Sequence, residues 1–372
     1  MPVPLLDLVR QYASFKDEVE AAVLAVCRSG KYILGEPVER LEKELAAYCG
    51  AGGAVGVTSG SDALLVALMD RGVGPGDEVI TTPFSFFATV GAIVRLGAKP
   101  VFVDIDPESY NLDEDAALAA LNERTKAVII VHLFGRWSTC DRLLAACEKR
   151  GIALIEDAAQ AIGCEDERGR RAGSVGHYGA FSFFPSKNLG CFGDGGVITV
   201  RDEATAERLR ILRNHGMKPA YLHHLVGGNF RLDALQAAIL SVKLKHLESW
   251  HAGRRANAEK YRAAFDEFRI PPEKVALPAP GKGRHIYNQF TLRCADRDGL
   301  MKHLQARGIG CAIYYPLGLH VQPCFAPLGY REGQFPHTER ACHEVLSIPV
   351  FPELTAAEQR EVAKAIAEFV GV

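Results

Sequence analysis

The sequence predicts an α/β fold: a mainly parallel sheet sandwiched by helices, followed by a smaller C-terminal α/β domain. Two observations predict the large unit. Between Val55 and Ile155, short runs of β-branched residues alternate with amphipathic stretches, the rhythm of βαβ units around a buried parallel sheet. Two more strand candidates then flank a glycine-rich turn, a different rhythm that closes the region. A third observation predicts the smaller unit: beyond a long helical stripe, short strand and helix patterns resume up to the C-terminus.

The strand candidates of the first region are Val55–Val57, Glu78–Ile80, Pro100–Val103, Ala127–Val131 and Ile152–Ile155. Between them lie helix candidates at Asp62–Asp70, Phe86–Leu96, Asp113–Leu121 and Arg142–Lys149. Tyr178–Phe184 and Gly196–Val200 read as strands around the glycine-rich turn, and Glu203 to about Asn214 as a helix. From Leu232 to about Phe265, Leu235, Ile239, Val242 and Leu247 hold one helical stripe with no Pro or Gly before Gly253, which predicts a single long connecting helix. The remainder offers a strand at Tyr287–Leu292, a helix at Arg297–Ala306, an extended run at Cys311–Tyr315 and a closing helix at Ala356–Phe369. Pro278–Gly283 reads as a surface loop. The expected division is a large domain over residues 1–245, including an N-terminal segment, and a small one over 246–372.

The 372 residues are 48% apolar and 24% charged, ordinary for a globular protein with two to three domains' worth of chain. Lys and Arg number 43 against 45 Asp and Glu, a net charge of −2, so no broad field draws nucleic acid or anionic lipid, and neither is expected as a partner. Without a basic, apolar leader or a run of about 18 apolar residues, the expected location is cytoplasmic. Ten scattered cysteines without a C-x-x-C pair are expected to be mostly buried thiols. The histidines, His132, His177, His215 and the pair His223-His224 among them, form no metal-ligand pattern, so no metal is expected. No G-x-G-x-x-G, P-loop, G-x-S-x-G or H-E-x-x-H motif occurs.

Four segments carry chemistry. In Thr58-Ser-Gly-Ser-Asp-Ala63 a strand ends in small polar residues as a helix begins. That construction offers free N–H groups to an anion, with Gly60 allowing close approach and Ser61 either joining the cup or serving as an ordinary N-cap. Ile155-Glu-Asp157-Ala-Ala-Gln160 puts an acid just past a buried strand. Such a carboxylate can hold a protonated ring nitrogen, with Gln160 nearby, or cap the following turn. Phe181-Ser-Phe-Phe-Pro-Ser-Lys187 sets a lysine between an aromatic strand and a glycine-rich turn, where lost hydration would favour the free amine needed for a Schiff base. Phe86, at a helix start, can stack on a flat heteroaromatic ring or pack in the core. Together these are the parts of a pyridoxal 5′-phosphate (PLP) site.

From end to end the chain resembles the DegT-type nucleotide-sugar aminotransferases of PLP fold type I, in the aspartate aminotransferase superfamily. The resemblance rests on Gly30-Lys-Tyr-Ile-Leu-Gly35, Gly72-Val-Gly-Pro-Gly-Asp-Glu-Val79, Glu156-Asp-Ala-Ala-Gln160, Ser182-Phe-Phe-Pro-Ser-Lys187, Gly193-Asp-Gly-Gly196 and Asn229-Phe-Arg-Leu-Asp-Ala-Leu-Gln-Ala-Ala238. It implies that Lys187 carries PLP as a Schiff base, Asp157 pairs with the ring nitrogen, Gln160 lies near the phenolic oxygen and Phe86 stacks on the ring. Gly60, Ser61 and Ser182 would bind the phosphate. It further implies a homodimer with shared sites, Asn229 reaching the neighbour's cofactor phosphate, and a substrate side formed by Tyr314 and Tyr315. Departures bear on the sugar: Tyr314 replaces a frequent histidine, Gly318 a frequent proline, and His132-Leu-Phe-Gly-Arg-Trp137 an usually small or amide-bearing stretch.

The expected activity is transfer of an amino group from L-glutamate to the 3-keto carbon of a nucleotide-linked sugar. The sugar would be a UDP-3-keto-N-acetylhexosamine or its uronic acid, or a dTDP-3-keto-6-deoxyhexose, in surface-polysaccharide or amino-sugar assembly. The turn after Lys187 resembles the 3-position group, since 4-position relatives tend to carry a glutamate there. Arg231 is a candidate for a substrate carboxylate or, alternatively, an ion-pair partner of Asp233 or another acid. The alternatives are a 4-position aminotransferase, a PLP-dependent sugar dehydratase and a sugar-sensing regulator; the dehydratases of this type carry histidine at the lysine position.

Overall fold

The computed structural model describes residues 2–372. Three helices, α1 (Leu8–Ala13), α2 (Lys16–Ser29) and α3 (Glu36–Cys49), precede the sheet. Then β1 (Gly53–Val57), α4 (Gly60–Asp70), β2 (Glu78–Thr81), α5 (Phe87–Arg95), β3 (Lys99–Phe102), α6 (Glu114–Ala120), β4 (Thr125–Val131), α7 (Asp141–Arg150) and β5 (Ala153–Asp157) alternate as read from the sequence. β6 (Tyr178–Ser182), β7 (Gly196–Val200) and α8 (Glu203–Leu212) follow.

The seven strands form one sheet in the order β1-β7-β6-β5-β4-β2-β3. All run the same way except β7, which is antiparallel to both β1 and β6. Alternation along each strand fills both faces. Val55, Val57, Ile129 and Ile155 pack under α4, α5 and α8, whereas Val128, Ile130 and Leu154 face α6 and α7. Ala54, Phe181 and Val197 extend that second face toward α3. Because six strands end on the same edge, the residues after β1, β2, β4, β5 and β6 converge there, where open α/β sheets bind ligands.

The predicted single helix over residues 232–265 is two: α9 (Ala234–Leu244) and α10 (Leu247–Glu267). Lys245 N–H donates to Val242 O and His246 N–H to Lys243 O, tight i to i−3 bonds that end α9 without a glycine or proline to mark the place. α10 starts in the same core as α9, through Leu247 and Trp250, and only its later turns reach a second one. α9 packs on α2 and α3, and α10 passes to α13 (Ala356–Val370), against which Tyr261 and Phe265 are buried.

The second core surrounds a three-stranded antiparallel sheet of β8 (Val275–Ala276), β9 (Phe290–Cys294) and β10 (Val345–Ile348). It also holds α11 (Arg297–Ala306), with α12 (Pro336–Glu344) beside β9. Cys311–Tyr315, expected to be extended, makes only an isolated bridge between Ala312 and Ser347. Instead of continuing along the sheet, Tyr314 and Tyr315 pack against a cluster with Phe84, Tyr110 and Phe134 of the large unit. The N-terminal segment joins this core too, with Val3 fully buried there and bridged to Ile309. Most cysteines are buried, and all are free thiols. No helix among the described residues is long and apolar enough to cross a membrane.

Candidate active site

Asp157 is the last residue of β5 and is buried. Its Oδ2 accepts the Thr89 hydroxyl at 2.7 Å, and its Oδ1 accepts the Ala159 N–H at 3.2 Å. Thr89 comes from α5, and its hydroxyl lies 2.8 Å from that of Ser85. Burial pushes the Asp157 carboxyl above its usual range, against the stabilising donors and the positive charge of Lys187. The carboxylate thus caps the turn and is held oriented at the strand end.

Gln160 is fixed at both ends of its amide: Phe134 N–H donates to Oε1 at 2.7 Å, and Nε2 donates to the Tyr315 hydroxyl at 3.1 Å. This brings the second unit's Tyr315 to the edge of the large sheet. Phe86 is not a core residue. It stands as the N-cap of α5, 58% exposed, with its ring centroid 6.2 Å from that of Tyr315.

Lys187 lies five residues beyond β6 in a tight turn closed by its own N–H donating to Phe184 O at 2.9 Å. Its ammonium has no ion-pair or hydrogen-bond partner among the described residues. Lost hydration brings its pKa down to about 8, with Asp157 pulling the other way. About a tenth of this lysine is therefore free amine at pH 7, far more than for an ordinary lysine.

The anion cup is built by α4, whose N-cap is Ser59 rather than Ser61: the Ser59 hydroxyl accepts Asp62 N–H at 3.1 Å. Ser61 is exposed in the first turn and free for other work. A Cβ added to Gly60 would sit 2.6 Å from the Ser182 Cβ, and one added to Gly196 2.5 Å from the Ser59 carbonyl. The helix end, Ser182 and the start of β7 are thus pressed together in a space that larger residues would fill.

Asn229 and Arg231 flank the same β1 edge. The Arg231 backbone bridges Val57, and Thr58 N–H donates to Phe230 O at 3.0 Å. The Asn229 side chain is exposed and has no hydrogen bond to Gly60, Ser182 or Lys187. Among the described residues Arg231 makes no ion pair with Asp233 or another acid. It donates to Asn214 Oδ1 at 2.9 Å, and its Nε is buried without a partner. Tyr314, with Ser186, Arg254, Asn288 and Gln289, lines a cavity of about 90 Å³ next to the Lys187 turn.

Two groups that the sequence reading did not place in the site support it. Thr89 orients Asp157, as above. Glu156, next to Asp157, is fully buried and accepts N–H groups from Gly173, Val175 and Gly176 at 2.9, 2.9 and 2.6 Å. His132 completes its shell. Ser138 N–H donates to Nδ1, which leaves the ring proton on Nε2 to donate to Glu156 Oε2 at 2.9 Å. The only sequence signal for this was an acid buried within a β-strand, which needs donors.

A family model described as the DegT/DnrJ/EryC1/StrS aminotransferase family matches residues 13–367. The chain belongs to that family. Its members are PLP enzymes, and PLP is the cofactor that goes with this fold type I architecture. The protein is 49% identical to the "pleiotropic regulatory protein" of Geobacillus stearothermophilus over 99% of both chains. It is 40% identical to the "UDP-N-acetyl-3-dehydro-alpha-D-glucosamine 3-aminotranferase" of Acidithiobacillus ferrooxidans, over 98% of this chain and 97% of that one. The crystal structure of S. venezuelae DesV in complex with a ketimine intermediate covers all of both chains with a TM-score of 0.95 at 40% identity. The residues of this site fit the aminotransferase cofactor: a glycine-lined helix N-terminus for its phosphate, a buried carboxylate for its ring nitrogen and a lysine without partners for its aldehyde carbon.

Proposed function

We propose that the protein transfers an amino group from L-glutamate to the 3-keto carbon of a nucleotide-linked sugar. The first choice is a UDP-3-keto-N-acetylhexosamine or its uronic acid, the second a dTDP-3-keto-6-deoxyhexose. The observation that carries the chemistry is the pairing of a desolvated, unpartnered Lys187 with the buried Asp157 whose charge it feels. The 3-position reading is supported by the Acidithiobacillus relative, whose name specifies that carbon, and by the absence of a glutamate in the turn Pro185–Gly190.

When bound, PLP supplies an electron sink for charge developing on the reacting carbon. In this reading Asp157 keeps a proton on the ring nitrogen, held in line by Thr89. Gln160 would lie near the phenolic oxygen, Phe86 would stack on the ring, and Gly60, Ser61 and Ser182 would bind the phosphate. Lys187 would hold the cofactor, and its free amine would carry a proton to and from the reacting carbon. Tyr314, Tyr315 and Arg231 would take the substrate side, Arg231 with an unused Nε available for a carboxylate.

The site is completed in a homodimer. In support, the exposed Tyr32 and Ile33 line an apolar groove of about 1150 Å³ with α2 and α9, and Asn229 is presented outward beside the phosphate cup of its own chain. A regulator that merely senses a sugar is the second reading, prompted by the name of the Geobacillus relative. Such a protein needs neither a lysine poised as free amine nor a buried acid opposite it. The deciding experiment incubates the enzyme with glutamate and 3-keto or 4-keto UDP- and dTDP-sugars and locates the new amine by NMR. An amine at carbon 3 is expected; an amine at carbon 4 with no turnover of any 3-keto-sugar rejects the regiochemistry, and no turnover with any keto-sugar favours the regulator.

A further inference from the structure

A second lysine lies buried behind the Lys187 turn. Lys243, near the end of α9, is 2% exposed, and its only hydrogen bond runs to the Gly190 carbonyl at 2.5 Å. It has no ion-pair partner among the described residues. Three rings take the place of water around the ammonium: Phe15, Phe192 and Trp250, with centroids 5.7, 5.6 and 5.8 Å away. Burial brings the lysine's pKa down to about 8, and Glu353 is too weak a counter-charge to offset it. For packing alone, Met or Leu would fill this cage without removing an ammonium from water. The cation therefore has a task that an apolar side chain cannot perform.

The carbonyl it holds belongs to a segment with little freedom. Lys187 N–H donates to Phe184 O and Cys191 N–H to Phe183 O, at 2.9 and 2.7 Å, so the chain closes on itself around Lys187. A Cβ at Gly190 would lie 2.4 Å from the Pro185 carbonyl, which shows how tightly the return leg is pressed against the outgoing one. α9 grips the same leg once more, Gln236 Oε1 accepting Phe192 N–H at 3.0 Å. Asn188 donates to Ile286 O at 3.2 Å on the other flank. Gly190 is three residues from Lys187, so movement of its carbonyl is passed on to the lysine.

We propose that Lys243 is a positioning residue for the catalytic turn, its caged ammonium fixing the Gly190 carbonyl and thereby the approach of Lys187. The inference rests on Lys187 being the point of cofactor attachment. A misplacement of about 1 Å at a reacting group can cost on the order of a hundredfold in rate, so the effect belongs in a rate rather than in overall stability.

The test compares wild type, Lys243→Met and Lys243→Arg as apoproteins. PLP is added, and the rate of its capture is followed by absorbance and, after borohydride, by the mass of the Lys187 peptide. Amide hydrogen exchange is read over residues 183–195. Lys243→Met is expected to melt within a few degrees of wild type, to capture PLP roughly tenfold or more slowly and to exchange faster in that segment; Lys243→Arg, which keeps a cationic donor, should recover most of the rate. Wild-type capture and exchange in Lys243→Met would overturn the proposal, as would equal slowing in both variants. If Lys243→Met does not fold, Lys243→Arg decides: near wild-type capture supports the role and a tenfold loss overturns it. Absence of any label on Lys187 in the wild type is a separate outcome, and it removes the attachment reading itself.

Discussion

The Thr89 hydroxyl donates to the Asp157 carboxylate at 2.7 Å, joining the first turn of one βα unit to the strand end of another. Replacing it by valine keeps the shape and removes the donor. A buried acceptor left unpaired costs about 1–3 kcal/mol, so Thr89→Val should lose that much in urea unfolding, and the Asp157 carboxyl should rise still further above its ordinary range. Thr89→Ser should recover most of both. An unchanged denaturation midpoint would mean that the hydroxyl does not orient the acid.

In the proposed reading, covalent capture of PLP requires the free amine of Lys187, whose pKa is lowered to about 8 by desolvation. Protonation removes the nucleophile, so the capture rate should rise with pH between about 6.5 and 8 and level above that, rather than climbing on toward the 10.4 of an ordinary lysine. Stopped-flow mixing of apoprotein with PLP over that range measures it. A rate still rising tenfold per unit at pH 9.5 would contradict the assignment, and Lys187→Ala should show no capture at all.

Gly60→Ala places a methyl 2.6 Å from the Ser182 Cβ. Alanine is the better helix former, by about 0.8–1.0 kcal/mol, so a simple helix-propensity effect would stabilise the chain. The clash should reverse that sign, with overpacking costing about 1–3 kcal/mol, and weaken PLP binding about tenfold in a fluorescence titration, equivalent to about 1.4 kcal/mol. Stabilisation with unchanged affinity would show that the cup has slack.

Glu358 caps α13 through Thr355 and pairs with Arg10 at 3.0 Å. Arg10 and the capping donors hold its carboxyl at about pH 2, below its ordinary 4.5. A depressed acid contributes stability that is complete above the unfolded pKa and lost as pH falls through the folded one. The gap in melting temperature between wild type and Glu358→Gln should therefore be widest above about pH 5 and close toward pH 2. A gap independent of pH would assign the effect to packing.

What the sequence revealed and concealed follows from the range of each interaction. The βα alternation is a local signal, and β2, β4 and β5 fall where their β-branched runs lie. The motif residues Asp157 and Lys187 are legible because their neighbours in the chain carry the chemistry. Thr89 is 68 residues from Asp157 and Gln160 is 155 from Tyr315, so nothing local marks those pairs. The break between α9 and α10 falls at Lys245 and His246, ordinary helix residues, and Leu247 and Trp250 beyond it still pack in the same core as α9, so no local pattern marks it. Tyr314 and Tyr315 look like strand residues by type. They leave the small sheet because an aromatic cluster across the cleft buries them better.

Val3 completes a core otherwise made by residues 258–370, and this orders events during synthesis. The ribosome releases the first strand-bearing region early, and the large sheet can assemble while the rest is still being made. The opening residues cannot. They have no lasting partner until β9, α11 and α13 exist, so they must wait while the intervening chain, about three hundred residues, is added. A late stage of folding thus draws distant parts of the chain together, and whatever shelters Val3 and Leu6 in the interval protects the growing chain from an apolar segment that has nothing yet to pack on.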